Sequence, residues 1–232
     1  MLEMGVGEVP IYPSATVVPV RDGPKGLEVL LLQRNAALKH MGGEWVFPGG
    51  RVDPADYTVP GDHDLAALQA AIRETQEEAG VQIAAKQLCS LSHWTTPEGA
   101  KRRYSTWFFL AVLAADQEVR VDGGEISAYR WVRPADAFAD IRNTESPFRL
   151  MPPTYVSLVE LAAYADTAAA QCALRARAPL RFAPRMVMLE GGVCFLYEDD
   201  AGYQSLLEDA SGPRHRTYMV NNQLEYIRDV PG

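Results

Sequence analysis

Residues 73 to 80 read Arg-Glu-Thr-Gln-Glu-Glu-Ala-Gly, and they stand downstream of a Phe47-Pro48-Gly49-Gly50 turn. On a helix, Glu74, Glu77 and Glu78 fall at i, i+3 and i+4, so the three carboxylates are neighbours. Like charges at that spacing cost stability, and a cation held between them removes the cost. Hard divalent ions such as magnesium take oxygen ligands and keep waters and substrate phosphates in the rest of their shell. The stretch therefore predicts a helix that offers carboxylates to magnesium and a phosphate compound.

Asp62 or Asp64 is placed to cap the start of this helix, and Gly80 to end it. At the α-helical repeat, Leu65, Leu68, Ile72, Thr75 and Ala79 fall within a sector of roughly 80°. That sector is the expected core face. The three glutamates lie opposite it, and Ala66, Ala67 and Ala70 extend their side toward the N-terminus, where small side chains would let a phosphate come close. A solvated charged face is the plain alternative for the glutamates. The glycine turn weighs against it, because glycine tolerates unusual dihedrals and close backbone approach. A carbonyl from that turn would complete an oxygen shell.

Around this stretch the chain alternates between strand and helix signals. Ser14–Val20 and the almost wholly apolar Leu27–Leu32 read as strands, the second one buried. Glu44–Phe47 is a short strand, and residues 51–63 form an ordered loop without regular structure. Gln87–Trp94, Tyr104–Ala114 and Ile126–Val132 are further strands, with a basic loop from Pro97 to Arg103. Pro134–Ile141 is a short helix, and Pro152-Pro153-Thr154 opens a longer one to about Ala176. The order predicts an α/β/α sandwich around a mixed β-sheet. Residues 1–176 form the main domain. Residues 177–232 form an extension packed on it, with hairpin signals at Gly191-Gly192 and Asn221-Asn222. Those hairpins would extend the sheet edge, lid a cleft or pair subunits in a homodimer.

Composition narrows the partners. The chain has 232 residues, 47% hydrophobic, and a net charge of −8, which argues against a large basic surface for nucleic acid. Cys89, Cys172 and Cys194 have no metal spacing and read as thiols in a reducing compartment. No apolar run approaches the ~20 residues that span a bilayer. The first residues lack the pattern of a signal peptide. A soluble, cytoplasmic protein is expected. His40, His63, His93 and His215 form no ligand cluster and read as structural, and Met186 and Met188 as strand packing.

The combination of Gly49-Gly50 with R-E-x-x-E-E-x-G resembles the core of the Nudix box. Arg73, Glu74, Glu77, Glu78 and Gly80 match it, and Val81 fills the apolar position after the glycine. The resemblance implies a Nudix-type fold and a pyrophosphohydrolase that cuts a nucleoside diphosphate linked to another moiety. It implies metal ligation by Glu74, Glu77, Glu78 and the Gly49 carbonyl, with Arg73 holding a helix carboxylate in place. The expected ion is magnesium, with manganese as a substitute. Two departures stand out: the loop from Gly50 to Arg73 is longer than usual in the family, and the upstream glutamate of the box is Leu65.

Trp94-Thr95-Thr96-Pro97, Arg102-Arg103, Thr106-Trp107-Phe108-Phe109 and Pro152-Pro153-Thr154 resemble the peroxisomal coenzyme A diphosphatase branch. That resemblance implies coenzyme A or its acyl esters as substrate, with Lys101, Arg102 and Arg103 facing phosphates; a solvated basic turn is the alternative. Arg34 and Arg51 are further candidates for substrate contact. NAD(H), ADP-ribose, dinucleoside polyphosphates and modified nucleoside triphosphates are the competing substrates, and a non-catalytic ligand-binding module is the competing class. A carboxylate must take a proton from the attacking water. Glu125 is the distal candidate beside a box glutamate, with Glu98 behind it. On spacing alone, Glu77→Gln abolishes hydrolysis.

Overall fold

The computed structural model describes residues 9–143, 145 and 148–229. β1 (Ile11–Gly23) and β2 (Gly26–Arg34) lead into the short β3 (Trp45–Val46) and β4 (Gly49–Arg51). α1 (His63–Ala79) follows, then β5 (Leu88–Thr95), β6 (Arg103–Val112) and β7 (Ile126–Val132). α2 (Pro134–Arg142), α3 (Pro152–Leu161) and α4 (Thr167–Arg175) precede β8 (Leu180–Phe182). The order across the main sheet is β3-β2-β1-β6-β5-β8, with β4 also on β1 and β7 on β2. β1 runs parallel to β6 and β5 parallel to β8, while the other pairs are antiparallel. The sheet is therefore mixed, as expected.

Strand side chains alternate between faces, and β1 and β2 bury both. Ala15, Val17, Leu30 and Leu32 pack under α1. Val18, Val20, Val29 and Leu31 face the opposite core with Val156, Leu158 and Leu161 of α3. Two covered faces explain the unbroken apolar run Leu27–Leu32.

The buried face of α1 differs from the expected one. Ala66, Ala67, Ala70 and Ala71 are at most 2% exposed, whereas Leu65, Leu68 and Ile72 are only half-buried. The alanines do not clear room for a phosphate. They let the helix settle closely on the sheet, where Ala15 and the glycines of β4 offer little bulk, and the larger leucines and isoleucine sit at its margin. The stripe Ala67, Ala71, Glu74, Glu78 then faces inward at i, i+4, i+7 and i+11. Asp62 caps the helix by accepting from Leu65 N–H at 2.9 Å. Gly80 ends it at φ 68°.

The helix expected from Pro152 to Ala176 is two helices. Asp166 accepts from Ala169 N–H at 2.8 Å, and Asp22 of β1 accepts from Thr167 N–H at 2.9 Å and Thr167 Oγ1 at 2.8 Å. Four first-turn N–H donors need acceptors at every helix start; these two aspartates take two of them, so a fresh helix begins. The 51–63 loop also holds a single 3₁₀ turn, Pro54–Asp56.

A second, antiparallel sheet follows: β9 (Arg185–Leu189), β10 (Gly192–Leu196), β11 (Arg214–Val220) and β12 (Gln223–Asp229), in the order β12-β11-β10-β9. Asn221 and Asn222 close one hairpin, both at positive φ (51° and 62°), the geometry of a tight two-residue loop. This region shares the main core. Trp94 stacks on Phe182 at 4.0 Å, with Tyr197 edge-on at 5.7 Å. The hairpins do not extend the main sheet's edge but form this sheet of their own; the strand added at that edge is β8.

His215 lies beneath this stack, 5% exposed, with Nε2 paired to Tyr226 Oη at 3.0 Å. Burial, with Arg228 nearby, pushes its pKa down from 6.5 to about 4. The fold thus binds fewer protons there than the unfolded chain. This stability is fully present above pH 6.5 and is lost as pH falls toward 4. Between pH 7 and pH 5 the loss is expected to be about 2 kcal/mol. Urea titrations of the wild type and of His215→Gln check this: the variant is expected to show the smaller drop.

Candidate active site

Arg73 organises the polar end of α1. Nε donates to Asp56 Oδ1 at 3.1 Å and one Nη to Asp56 Oδ2 at 2.9 Å. The other Nη donates to Glu74 at 2.9 Å and to Glu77 at 3.1 Å, and Arg51 C=O accepts at 3.0 Å. The hydrogen bonds that Arg73 donates to Asp56, joined by that to Glu74, raise its pKa further. Burial alone would raise the Asp56 pKa, but the Arg73 hydrogen bonds outweigh it and hold it below the usual range. Asp56 did not emerge from the sequence. Its signal was local: Asp53-Pro54-Ala55-Asp56 is a cap with an acid three residues on, and Asp53 N–H donates to Asp56 Oδ2 at 2.8 Å.

The three box glutamates part company. Glu78 is 7% exposed and accepts Gly49 N–H at 2.9 Å. Burial, together with Glu74 and Glu125, pushes its pKa up to about 8 against the pull of that N–H. Burial also raises Glu74. Glu77 is 57% exposed, turned outward onto Arg73.

Glu74 and Glu78 open into a cavity of about 650 Å³, whose wall includes Gly49, Gly50, Arg34 and Glu125 but not Glu77. Glu125 pairs with Arg34 at 2.7 Å. It is held by Asp122, which accepts N–H groups of Gly124, Glu125 and Ile126. Arg51 lies over the Tyr12 ring at 4.0 Å and reaches the cavity wall, as do Lys101 and Arg102. Arg103 instead donates to Thr96 C=O at 3.2 Å and does not line the cavity. Among the described residues, four buried side-chain atoms lack a partner. Three of them, Ser14 Oγ, Arg34 Nε and Glu44 Oε2, belong to residues of this wall. Glu44 also escaped the sequence reading.

Among the described residues, no three His, Cys, Asp or Glu side chains form a ready cage for a metal. Magnesium does not need one, since one or two carboxylates suffice when waters and phosphate oxygens complete the shell. Glu74 and Glu78 fit that requirement: both are hard oxygen donors at a cavity wall, and burial makes their charged forms costly until a cation arrives. A Cβ on Gly50 would stand 2.2 Å from Glu74 Oε1, and one on Gly49 would meet the Ala15 carbonyl at 2.5 Å. The first clash is with a movable side-chain end, the second with backbone. Gly50→Ala is therefore expected to keep the melting temperature within a few degrees while weakening metal binding tenfold or more. Calorimetric titration with magnesium beside a thermal melt checks it.

A family model described as NUDIX domain matches residues 11–152. Among curated proteins the chain is similar to "Uncharacterized Nudix hydrolase NudL" of Escherichia coli K12, with 29% identity over 116 residues, 50% of this chain and 54% of that protein. It is also similar to the asymmetrical bis(5'-nucleosyl)-tetraphosphatase of Rattus norvegicus, with 33% identity over 109 residues, 46% of this chain and 64% of that one. The chain thus spans about half the length of curated relatives it matches. A crystal structure of a NUDIX hydrolase from Alicyclobacillus acidocaldarius superposes with a TM-score of 0.63 at 26% identity, over 72% of this chain and 97% of that one. No helix among the described residues is long and apolar enough to cross a membrane.

Proposed function

The chain belongs to the NUDIX domain family, and on that premise we propose that it is a metal-dependent hydrolase of the diphosphate bond in a nucleotide derivative. One observation carries the reading: the half-buried carboxylate of Glu74 and the buried one of Glu78 meet the Glu125–Arg34 pair on the wall of a single cavity. Magnesium is the proposed ion, with manganese as a substitute, and Glu74 and Glu78 would hold it. When bound, it would neutralise charge on the diphosphate oxygens and make a water more acidic.

The remaining work falls to the chain's own groups. Arg73 keeps Glu74 in place through the anchor to Asp56. Gly49 N–H orients Glu78. Lys101, Arg102 and Arg51 supply positive charge for outer phosphates. Glu125, half-exposed on the cavity wall and steadied by the Asp122 turn, is the proposed acceptor of the water proton. Coenzyme A or its acyl esters are the specific substrates proposed from the branch resemblance, and the basic Lys101–Arg102 wall supports a substrate with several phosphates.

The test is phosphate release with a coupled phosphatase across coenzyme A, NAD(H), ADP-ribose and diadenosine tetraphosphate, with and without magnesium. Magnesium-dependent release from at least one is expected. Silence across the panel together with calorimetric binding would instead identify a ligand-binding module.

A further inference from the structure

Glu125 is the proposed acceptor of the water proton, and its place in the cavity is set by its backbone rather than by packing. It is the last residue before β7, and its side chain is 51% exposed. The turn that leads into it, Asp122-Gly123-Gly124, has little bulk to pack, and a Cβ on Gly123 would stand in open space. Asp122 fixes the internal shape of this turn by accepting the N–H groups of Gly124, Glu125 and Ile126. Internal hydrogen bonds do not determine where a turn sits relative to Glu74 and Glu78. That placement needs contacts to another element.

Asn35 supplies them. It is the first residue after β2, which pairs antiparallel with β7. The ladder shifts register between Gln33 and Arg34, so its regular pairing ends just short of the turn. Asn35 Nδ2 donates to the Gly124 carbonyl at 3.0 Å, and Asn35 N–H donates to the Glu125 carbonyl at 2.8 Å. These carbonyls belong to the two peptide groups that adjoin the Glu125 Cα. One residue therefore holds the backbone on both sides of Glu125, while its neighbour Arg34 holds the carboxylate at 2.7 Å.

The Asn35 side chain has a second partner. Its Oδ1 accepts Ala37 N–H at 3.0 Å, at the start of the loop whose Lys39 and Met41 line the cavity. A carbonyl on one side and an N–H on the other require a donor and an acceptor on one short group, which is the chemistry of an amide. Aspartate keeps the acceptor and loses the donor; alanine loses both.

We propose that Asn35 is a positioning residue for hydrolysis: it sets the Gly124–Glu125 turn against the cavity and so places the carboxylate that takes the proton from water. This role rests on Glu125 being that acceptor. A displacement of about 1 Å in a reacting group is enough to cost about a hundredfold in rate, so hydrogen bonds that add little to stability govern turnover here.

The experiment is a double-mutant cycle on the full chain with magnesium, using the compound it hydrolyses fastest among coenzyme A, NAD(H), ADP-ribose and diadenosine tetraphosphate. Asn35→Ala and Asn35→Asp are each expected to lower kcat about tenfold or more, with KM and magnesium affinity within twofold and the melting temperature within a few degrees. The two variants share only the lost hold on Gly124, so a like loss in both assigns the effect to that bond rather than to the Ala37 contact or an added charge. In a Glu125→Gln background the same substitutions are expected to cost less than a further twofold, because the group they place is gone. Hydrogen exchange gives a readout independent of turnover. The N–H at position 35, corrected for its intrinsic rate, is expected to exchange at least fivefold faster in Asn35→Ala, while the Glu125 N–H held by Asp122 stays within twofold. Unchanged kcat in either Asn35 variant, an equal loss in the Glu125→Gln background, or unchanged exchange at position 35 overturns the proposal. Activity lost in Glu125→Gln but kept in the Asn35 variants defeats this inference alone. Full activity in Glu125→Gln, or silence with all four compounds, defeats the reading it rests on as well.

Discussion

Glu78→Gln is expected to lower metal-dependent hydrolysis on the order of 10³-fold, while leaving the protein at least as stable as the wild type. Glutamine has the same shape and can still accept Gly49 N–H, so the local geometry survives. What it removes is a charge that the fold already disfavours, since burial pushes the Glu78 pKa up to about 8. A carboxylate with a raised pKa makes the folded state less stable at higher pH, so a neutral isostere relieves that cost. Loss of function without loss of stability is the signature of a group kept for chemistry. Glu77→Gln is expected to lose far less, because Glu77 is mostly exposed and is turned onto Arg73. Magnesium titrations of kcat/KM for both variants, beside urea melts, separate the cases. Equal losses at the two positions would refute the assignment.

Asp200→Ala is expected to cost about 3–5 kcal/mol, the range for breaking a buried ion pair from one side. Asp200 and Arg216 are 0% and 1% exposed at their side chains. Two nitrogens of Arg216 donate to the two Asp200 oxygens at 2.7 and 2.6 Å, and Asp200 also accepts Gly202 N–H and His215 N–H, each at 2.8 Å. Removing the aspartate takes away the paired carboxylate and leaves the buried guanidinium to the Glu208 carbonyl at 2.6 Å, Tyr218 Oη at 3.0 Å and the Glu208 carboxylate at 3.6 Å. That cost is a large part of a typical domain's stability of about 5–15 kcal/mol. Replacing both partners, Asp200→Leu with Arg216→Met, is expected to recover at least half of the loss, because neither charge then stays unpaired. Urea midpoints of the single and double variants decide it. A double variant no better than the single one would show that the two backbone N–H groups, rather than the charge, dominate.

Most strands and the hairpin turns were legible because they follow from local alternation and from turn residues. The break between α3 and α4 was not, since Ala and Leu run through it. It depends on Asp22, which comes from a strand 145 residues earlier. The same holds for Arg73: its partner Asp56 sits 17 residues away, across the lengthened loop.

The residues of the chain determined on their own that α1 exists, where it starts and stops, and that its end gathers carboxylates suited to a hard cation. Those are matters of spacing within a few turns of one helix. Which carboxylates face the cavity was decided only when the helix met the sheet. Alanines let α1 pack closely against Ala15 and the glycines of β4, which turned Glu74 and Glu78 toward the cavity and left Glu77 outside. The aromatic stack at Trp94 had the same origin. Phe182 and Tyr197 reach Trp94 from the far end of the chain, and no local pattern states which distant surface a strand will cover.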